Sequence, residues 1–425
     1  MKPLATKLVV ASSTALLTST ALATNGDNMM AIGPNARAMG GVGVAAPHDA
    51  ISAVFANPAA MCFTPGCAYS EVNFAGTLFM PHVKAEVDLQ GMGDIKADSK
   101  QNVYAIPAIG LSLPIDPDTR RWRFGLAAYG ATGLGVDYRG TSLDQQINTG
   151  FPPPNNQAPL IQGAFTSLQI MKFAPSLSYQ ISPDFSVGAA LHIDYATLDL
   201  RNGSSPAYGV GGQLGAIYRP TKELSLGVTY ITPQSTDFQN VVATPAGPHD
   251  LELESPHQVA VGVSYTFFDQ RLLVEADGKY LNWQGATGYK DFGWVDQWVA
   301  GIGFQFAAVP KKLFFRLGYN YGTNPVKTHD GWGATPGSGH DVQGMQFPDY
   351  YYETFRMIGF PAIVEHHVTA GIGYAFSEKF ELNMGYTHAF ENTIAETGQM
   401  LGGPTASIKS SLSEDSVDFG ITWRF

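Results

Sequence analysis

The sequence predicts an all-β protein: an antiparallel transmembrane β-barrel of about 14 strands with an N-terminal plug, or hatch, inside it. From residue 69 onward, segments of about ten to sixteen residues are apolar at alternate positions and small or polar between, the period of a strand with two unlike faces. The connections sort by parity, tight turns at one end and mostly long loops at the other, as in outer-membrane barrels and unlike soluble sandwiches. Hydrophobic residues make up 44% of the chain and charged residues only 14%. Soluble proteins carry roughly a quarter charged residues, so part of this surface faces something other than water.

Lys2 and Lys7 precede an apolar, hydroxyl-rich run from Leu8 to Leu22, and Ala21-Leu22-Ala23 has the form of a signal peptidase site. Residues 1–23 therefore read as a signal peptide. Residues 24–68 show no alternation and form the expected plug. Residues 69–425 form the barrel, with strands expected at 69–80, 101–113, 121–136, 166–179, 184–200, 209–218, 223–232, 256–267, 270–283, 295–307, 312–322, 364–376, 379–390 and 415–425. In 270–283, Leu272, Val274, Ala276, Gly278 and Tyr280 suit lipid, while Arg271, Glu275, Asp277 and Lys279 suit a polar interior. The last strand sets Val417, Phe419, Ile421, Trp423 and Phe425 against Ser416, Asp418, Gly420, Thr422 and Arg424. Lipid satisfies no free backbone N–H or C=O group, so such a sheet must close on itself. Tyr69, Trp122, Tyr230, Trp283, Trp298 and Trp423 are the expected interfacial aromatics.

A net charge of −11 without clustered Lys and Arg excludes a nucleic-acid partner. Gly41-x-Gly43-x-x-Ala46 lacks the strand before and helix after that a dinucleotide site needs. No serine-hydrolase elbow or zinc-protease motif is present, and the scattered histidines His192, His257, His366, His367 and His388 read as wall or loop residues. The expected protein is not an enzyme and needs no cofactor or metal. Cys62 and Cys67 flank Pro65-Gly66, either as a small disulfide staple in an exported chain or as two free thiols.

A barrel of about 14 strands is too wide for wall side chains alone to fill, since about eight strands reach that limit. The glycine-rich stretch from Arg37 to Met61, broken at Asn57-Pro58, is suited to fill it. Its motif residues are Met39, Gly40, Gly41, Gly43, Asp49, Asn57, Pro58 and Ala59. The stretch "TNGDNMMAIGPNARAMGGVGVAAPHDAISAVFANPAAM" resembles the hatch of the FadL/TodX family of outer-membrane transporters for hydrophobic compounds, and later segments such as "FGLAAYGATGLGVDY" and "LLVEADGKYLNWQ" resemble that family's strands. The resemblance implies passive uptake of a hydrophobic small molecule, typified by long-chain fatty acids and in other branches by aromatic hydrocarbons. It further implies capture by outer loops, an interior pocket beside the hatch, and sideways release through a kink in the third strand. Gly130, Gly133 and Gly135 lie in that strand, where they mark either a bend or small residues facing the plug.

Met29, Met30, Ile32, Phe55 and Met61 are the plug residues expected either to contact ligand or to pack. Arg37, Asp194, Glu275, Asp277, Lys279, Arg316 and Asp418 are expected to hold the plug through paired charges, or alternatively to offer one basic residue to a fatty-acid carboxylate. The stretches "INTGFPPPNNQAPLIQGAF" and "FPDYYYETFRMIGFPAI" read as exposed apolar loops that catch ligand, or alternatively as an adhesin or phage-receptor surface. The expected location is the bacterial outer membrane. The expected state is a monomer in contact with membrane lipid and with the barrel-insertion machinery.

Overall fold

In the computed structural model, the described residues are 24–46, 48–62, 70–90, 93–116, 121–144, 164–201, 203–244, 247–335, 338–400 and 403–425. The expected signal peptide, Tyr69, Cys67 and most of the "INTGFPPPNNQAPLIQGAF" loop lie outside them. The chain forms a closed antiparallel barrel of 14 strands. They are β1 (Glu71–Leu89), β2 (Tyr104–Pro114), β3 (Trp122–Asp137), β4 (Phe165–Ser182), β5 (Phe185–Asp199), β6 (Ser204–Tyr218), β7 (Leu224–Ile231), β8 (Gln258–Phe267), β9 (Leu272–Leu281), β10 (Gln297–Val309), β11 (Leu313–Gly322), β12 (His366–Ala375), β13 (Phe380–Gln399) and β14 (Thr405–Arg424). Each strand pairs with its neighbour in sequence, and β14 returns to β1 with Trp423 opposite Val72 and Ala406 opposite Leu89. Backbone bonds between Ser70 and Phe425 complete the seam. No helix among the described residues is long and apolar enough to span a membrane.

The two faces separate as the alternation predicts. Along β14, Phe419, Ile421 and Trp423 are exposed on the outside, while Ser416, Asp418 and Thr422 are buried inside. Trp122, Tyr230 and Trp298 are also outward and exposed, as interfacial aromatics should be. Trp283 is not: it is fully buried, its Nε1 donates to Gln297 Oε1 at 3.1 Å, and it packs on Tyr289 and Trp294. A 3₁₀ turn at Trp283–Gly285 ends the strand and swings the indole inward.

Two expected loops are largely strand. β1 runs on through Pro81 to Leu89, with Val83, Ala85 and Val87 buried and Lys84 and Glu86 on the other face. Proline is tolerated there because β2 pairs with β1 only as far as Phe79 and the next partner strand, Gly93–Asp98, begins at Lys84. β13 and β14 also extend past the expected limits, with a register break between Ala389 and Asn392 where the expected strand ended. Strands of about 9 to 11 residues cross a bilayer, so these 20-residue strands project well above it.

The segment between β11 and β12 packs inward. A helix at Asp349–Thr354, here α3, runs into a π-helical turn at Phe355–Gly359. Tyr350, Tyr351, Tyr352, Phe355, Met357, Ile358 and Phe360 are all buried. The expected exposed apolar loop is therefore an inward-packed lid, because its aromatic side chains find one another and the barrel's upper inner wall before they meet water. Arg356 anchors the lid, bonding Glu353 of α3 and Glu396 of β13.

Candidate functional site

The N-terminal residues 24–62 are almost entirely buried inside the barrel. Thr24–Asn25 and Asn28–Met29 form a minimal hairpin; α1 (Pro34–Arg37) and α2 (Ala50–Ala56) follow, then a 3₁₀ turn at Pro58–Cys62. Asp49 caps α2 by accepting from Ser52 N at 2.8 Å, and its other oxygen accepts from Asn35 Nδ2 at 3.0 Å. Burial and the charge of Glu71 push the Asp49 carboxyl up to about 6.

The motif glycines and the barrel's inner glycines make close backbone-to-backbone seats. Gly40 has φ +70, and a Cβ there would stand 2.6 Å from Tyr319 O; its own N–H donates to Thr369 Oγ1 at 2.9 Å. Met39, fully buried, lies over Gly303 and Gly318 of the wall. Gly41 passes over Met30, and Gly43 N donates to Asp277 Oδ2 at 2.8 Å. Asn57 bonds three carbonyls through Nδ2: Val44 at 2.9 Å, Ala216 at 3.2 Å and Val228 at 3.3 Å. Pro58 and Ala59 lie over Gly188, so close that a Cβ at Gly188 would fall 2.3 Å from Ala59 N. Ala59 O accepts from Ser186 Oγ at 2.7 Å.

Only one of the expected charge pairs joins this segment to the wall. Arg37 Nε meets Asp418 at 2.8 Å and Nη2 donates to Ser416 at 2.7 Å. Elsewhere the wall charges bind segment backbone, which offers many orphan N–H and C=O groups but few charges. Glu275 Oε1 accepts from Ala45 N and Ala46 N, both at 2.8 Å, and Lys279 donates to Met30 O at 3.1 Å and Gly41 O at 3.0 Å. Arg316 bonds Asn383 and approaches Glu381, and Asp194 pairs with Lys172, all within the wall.

Beside the segment lies a partly open cavity. Its apolar lining includes Met29, Phe55, Tyr129, Ile231 and Leu281, and its polar lining includes Lys172, His192, Gln234 and Lys279. Phe55 meets Tyr129 edge to face at 5.5 Å. Of the candidate contact residues, Met29 and Phe55 line the cavity. Met30 packs against Gly41, Ile32 packs with Met29 and Ile51, and Met61 lies over Gly125. Lys172 approaches Asp194 at 3.1 Å, bonds Gln234, and stands 3.5 Å from His192 Nδ1. Sequence reasoning missed Lys172, though its place on the inward parity of β4 between Met171 and Phe173 was the available signal.

The third strand bends here. β2 and β3 pair from Pro114–Arg123 to Ala108–Tyr129 and then part, meeting again only where Lys100 N donates to Asp137 O at 2.8 Å. Between these points β3 loses its alternation and is buried on both faces from Tyr129 to Val136. A register break sits between Gly130 and Thr132. Beyond it Thr132 pairs with Asn28, and Gly133 N donates to Asp27 O at 3.2 Å. A Cβ at Gly135 would fall 2.9 Å from Thr166 O. The wall between β2 and β3 is left without a hydrogen-bonded ladder. Among the described residues, no cluster of metal-ligating side chains occurs.

Comparison with known proteins agrees with this geometry. Residues 10–210 match the model of the outer membrane protein transport proteins (OMPP1/FadL/TodX). Among solved structures, the Pseudomonas putida toluene transporter TodX superposes with a TM-score of 0.63 at 18% identity, covering 93% of this chain and 99% of that one. A Pseudomonas aeruginosa FadL homologue gives 0.63 at 15% identity (92% and 99%), and the Ralstonia pickettii toluene transporter TbuX gives 0.61 at 18% (93% and 99%). No curated protein matches the chain significantly in sequence. Over residues 10–210 the chain is thus similar to the OMPP1/FadL/TodX outer-membrane transport proteins, and over nearly its whole length it shares their barrel fold.

Proposed function

We propose that this protein takes up long-chain fatty acids by passive passage: entry past the outer lid, binding in the cavity beside the N-terminal hatch, and lateral release where β3 leaves β2. The observation that carries the fatty-acid reading is the pairing of an apolar cavity wall with two lysines, Lys172 and Lys279. An ammonium in such a site suits a carboxylate head while the wall takes the chain. The unladdered stretch of wall at Gly130–Gly135 supports a sideways exit into lipid, which spares an oily ligand from crossing water.

Monoaromatic hydrocarbon uptake is the second reading, supported by the Phe55–Tyr129 pair in the cavity wall. The test is uptake of labelled oleate and of toluene into vesicles carrying the purified protein. Wild type is compared with the paired replacement Lys172→Met with Asp194→Asn, which removes the ammonium without stranding its carboxylate. Oleate uptake lowered at least tenfold with toluene unaffected supports the fatty-acid reading. Uptake of toluene alone by wild type moves the protein to the hydrocarbon reading.

A further inference from the structure

The outward column of β6 is apolar from Tyr218 through Leu214 and Val210 to Tyr208, and turns polar at Ser204. Tyr208 and Tyr218 stand ten residues apart on the strand, which at ~3.3 Å per residue and ~40° of tilt is about 25 Å of height, the depth of a lipid-facing band. The ladder from β6 to β7 covers only part of that band. It runs from Tyr218 opposite Ala216's partner strand at Leu226 to Gln213 opposite Ile231, and ends where Thr232 N donates to Gly212 O at 2.9 Å. Over about 10 Å of height beyond Gly212, β6 has no strand beside it on this edge.

The cause is local. Pro233 has no N–H to carry the ladder on, and the chain turns inward there, so that Gln234 to Thr236 pass behind β6; a Cβ at Gly209 would fall 3.0 Å from Ser235 O. Gly212 turns its N–H as well as its C=O toward Thr232, bonding Oγ1 at 2.9 Å. Tyr208 and Val210 share the parity of Gly212, so their backbone groups face the same notch, where no described strand meets them. Their side chains are 73% and 65% exposed. On the lumen side only Thr232–Pro233 separates the notch from the cavity, because Ile231 before them and Gln234 after them both line it, and Gln234 bonds Lys172.

Unpaired backbone groups are costly at the height of hydrocarbon, so their partner comes from outside the chain. A polar head on an apolar tail supplies one. We infer that the notch is a membrane-side entrance to the cavity, which takes a single-chain amphiphile with a carboxyl head from the outer half of the membrane, in addition to the way past the lid. The head meets the backbone of Tyr208 and Val210, and the tail passes Thr232–Pro233 into the cavity without returning to water. The entrance lies between β6 and β7 and is separate from the parting of β2 and β3. It rests on the proposed reading of the cavity as the ligand site.

The test is photo-cross-linking by a stearic acid that carries a mid-chain diazirine, dissolved in the membrane of vesicles holding the full chain, with adducts located by mass spectrometry. Wild type should carry adducts on Thr232–Gln234 as well as on the cavity residues Phe55 and Tyr129. Val210→Trp, which fills the notch from the lipid side, should lower the cavity adducts about tenfold. Leu317→Trp, a replacement on the lipid face of β11 at a residue 61% exposed, should not. In detergent, where the probe arrives past the lid, Val210→Trp should label the cavity as wild type does, which separates a blocked entrance from a damaged cavity. Wild-type cavity adducts with none on Thr232–Gln234, or cavity labelling from the membrane that Val210→Trp leaves unchanged, overturn the entrance; the first of these needs no variant to insert. Wild type with no cavity adduct in either medium overturns the reading of the cavity itself, and the entrance with it.

Discussion

Arg37 shows how much one residue holds in this lumen. Its guanidinium joins α1 to β14 through Asp418 and Ser416, and all three groups are buried. Breaking a buried pair from one side leaves a stranded charge, at a typical cost of about 3–5 kcal/mol. Arg37→Met should therefore lower stability by that order in urea titration, and Arg37→Met with Asp418→Asn should recover most of it. Asp27 governs the segment differently. Burial pushes its carboxyl up to about 7 against an ordinary 3.8, although Tyr289 donates to it. A raised carboxyl pKa contributes stability that is complete below about pH 4 and is lost as the pH climbs through 7. Protection factors for hydrogen exchange at residues 24–29 should accordingly fall between pH 5 and 7, by up to about tenfold per unit. Asp27→Asn should flatten that dependence.

At the scale of elements, β3 and the lid are the parts that depart from regular barrel geometry. β3 exchanges its ladder with β2 for contacts to the N-terminal hairpin over Gly130–Gly135. A bulky side chain there should obstruct the opening without touching the lysine cavity. Gly133→Trp is expected to retain oleate binding while uptake falls at least tenfold, and retained uptake would exclude this route of exit. The lid is held by Arg356 between Glu353 and Glu396. Arg356→Met should loosen it and speed ligand association, measured by stopped-flow quenching of a fluorescent fatty acid. The residues of both elements were legible beforehand but their placement was only partly so. The glycines marked β3 as unusual, whereas the lid's Tyr350–Tyr352 and Phe355 read as an exposed capture surface and are buried. A run of aromatics states that it will leave water, not which surface it will leave water for.

For the molecule as a whole, the barrel and its filling are separable in their interactions. The wall closes through backbone pairing around all 14 strands, while residues 24–62 sit in it through side chains such as Asn57, Glu275 and Asp277. Removing residues 24–62 should leave a barrel that still shows heat-dependent electrophoretic mobility, and should raise its single-channel conductance in planar bilayers several-fold. Failure of the shortened chain to insert would mean the segment is needed for closure as well as for filling. The sequence by itself determined the strand number, the lipid-facing parity and the closure, because alternation and the lack of hydrogen-bonding partners in lipid act locally on every strand. Only the tertiary structure decided that Lys172 meets the cavity, that Trp283 turns inward, that the lid packs inward and that β6 stands free of β7 beyond Gly212. Those outcomes depend on which residues of distant strands reach the same height in the lumen, and that height is set by register around a closed sheet.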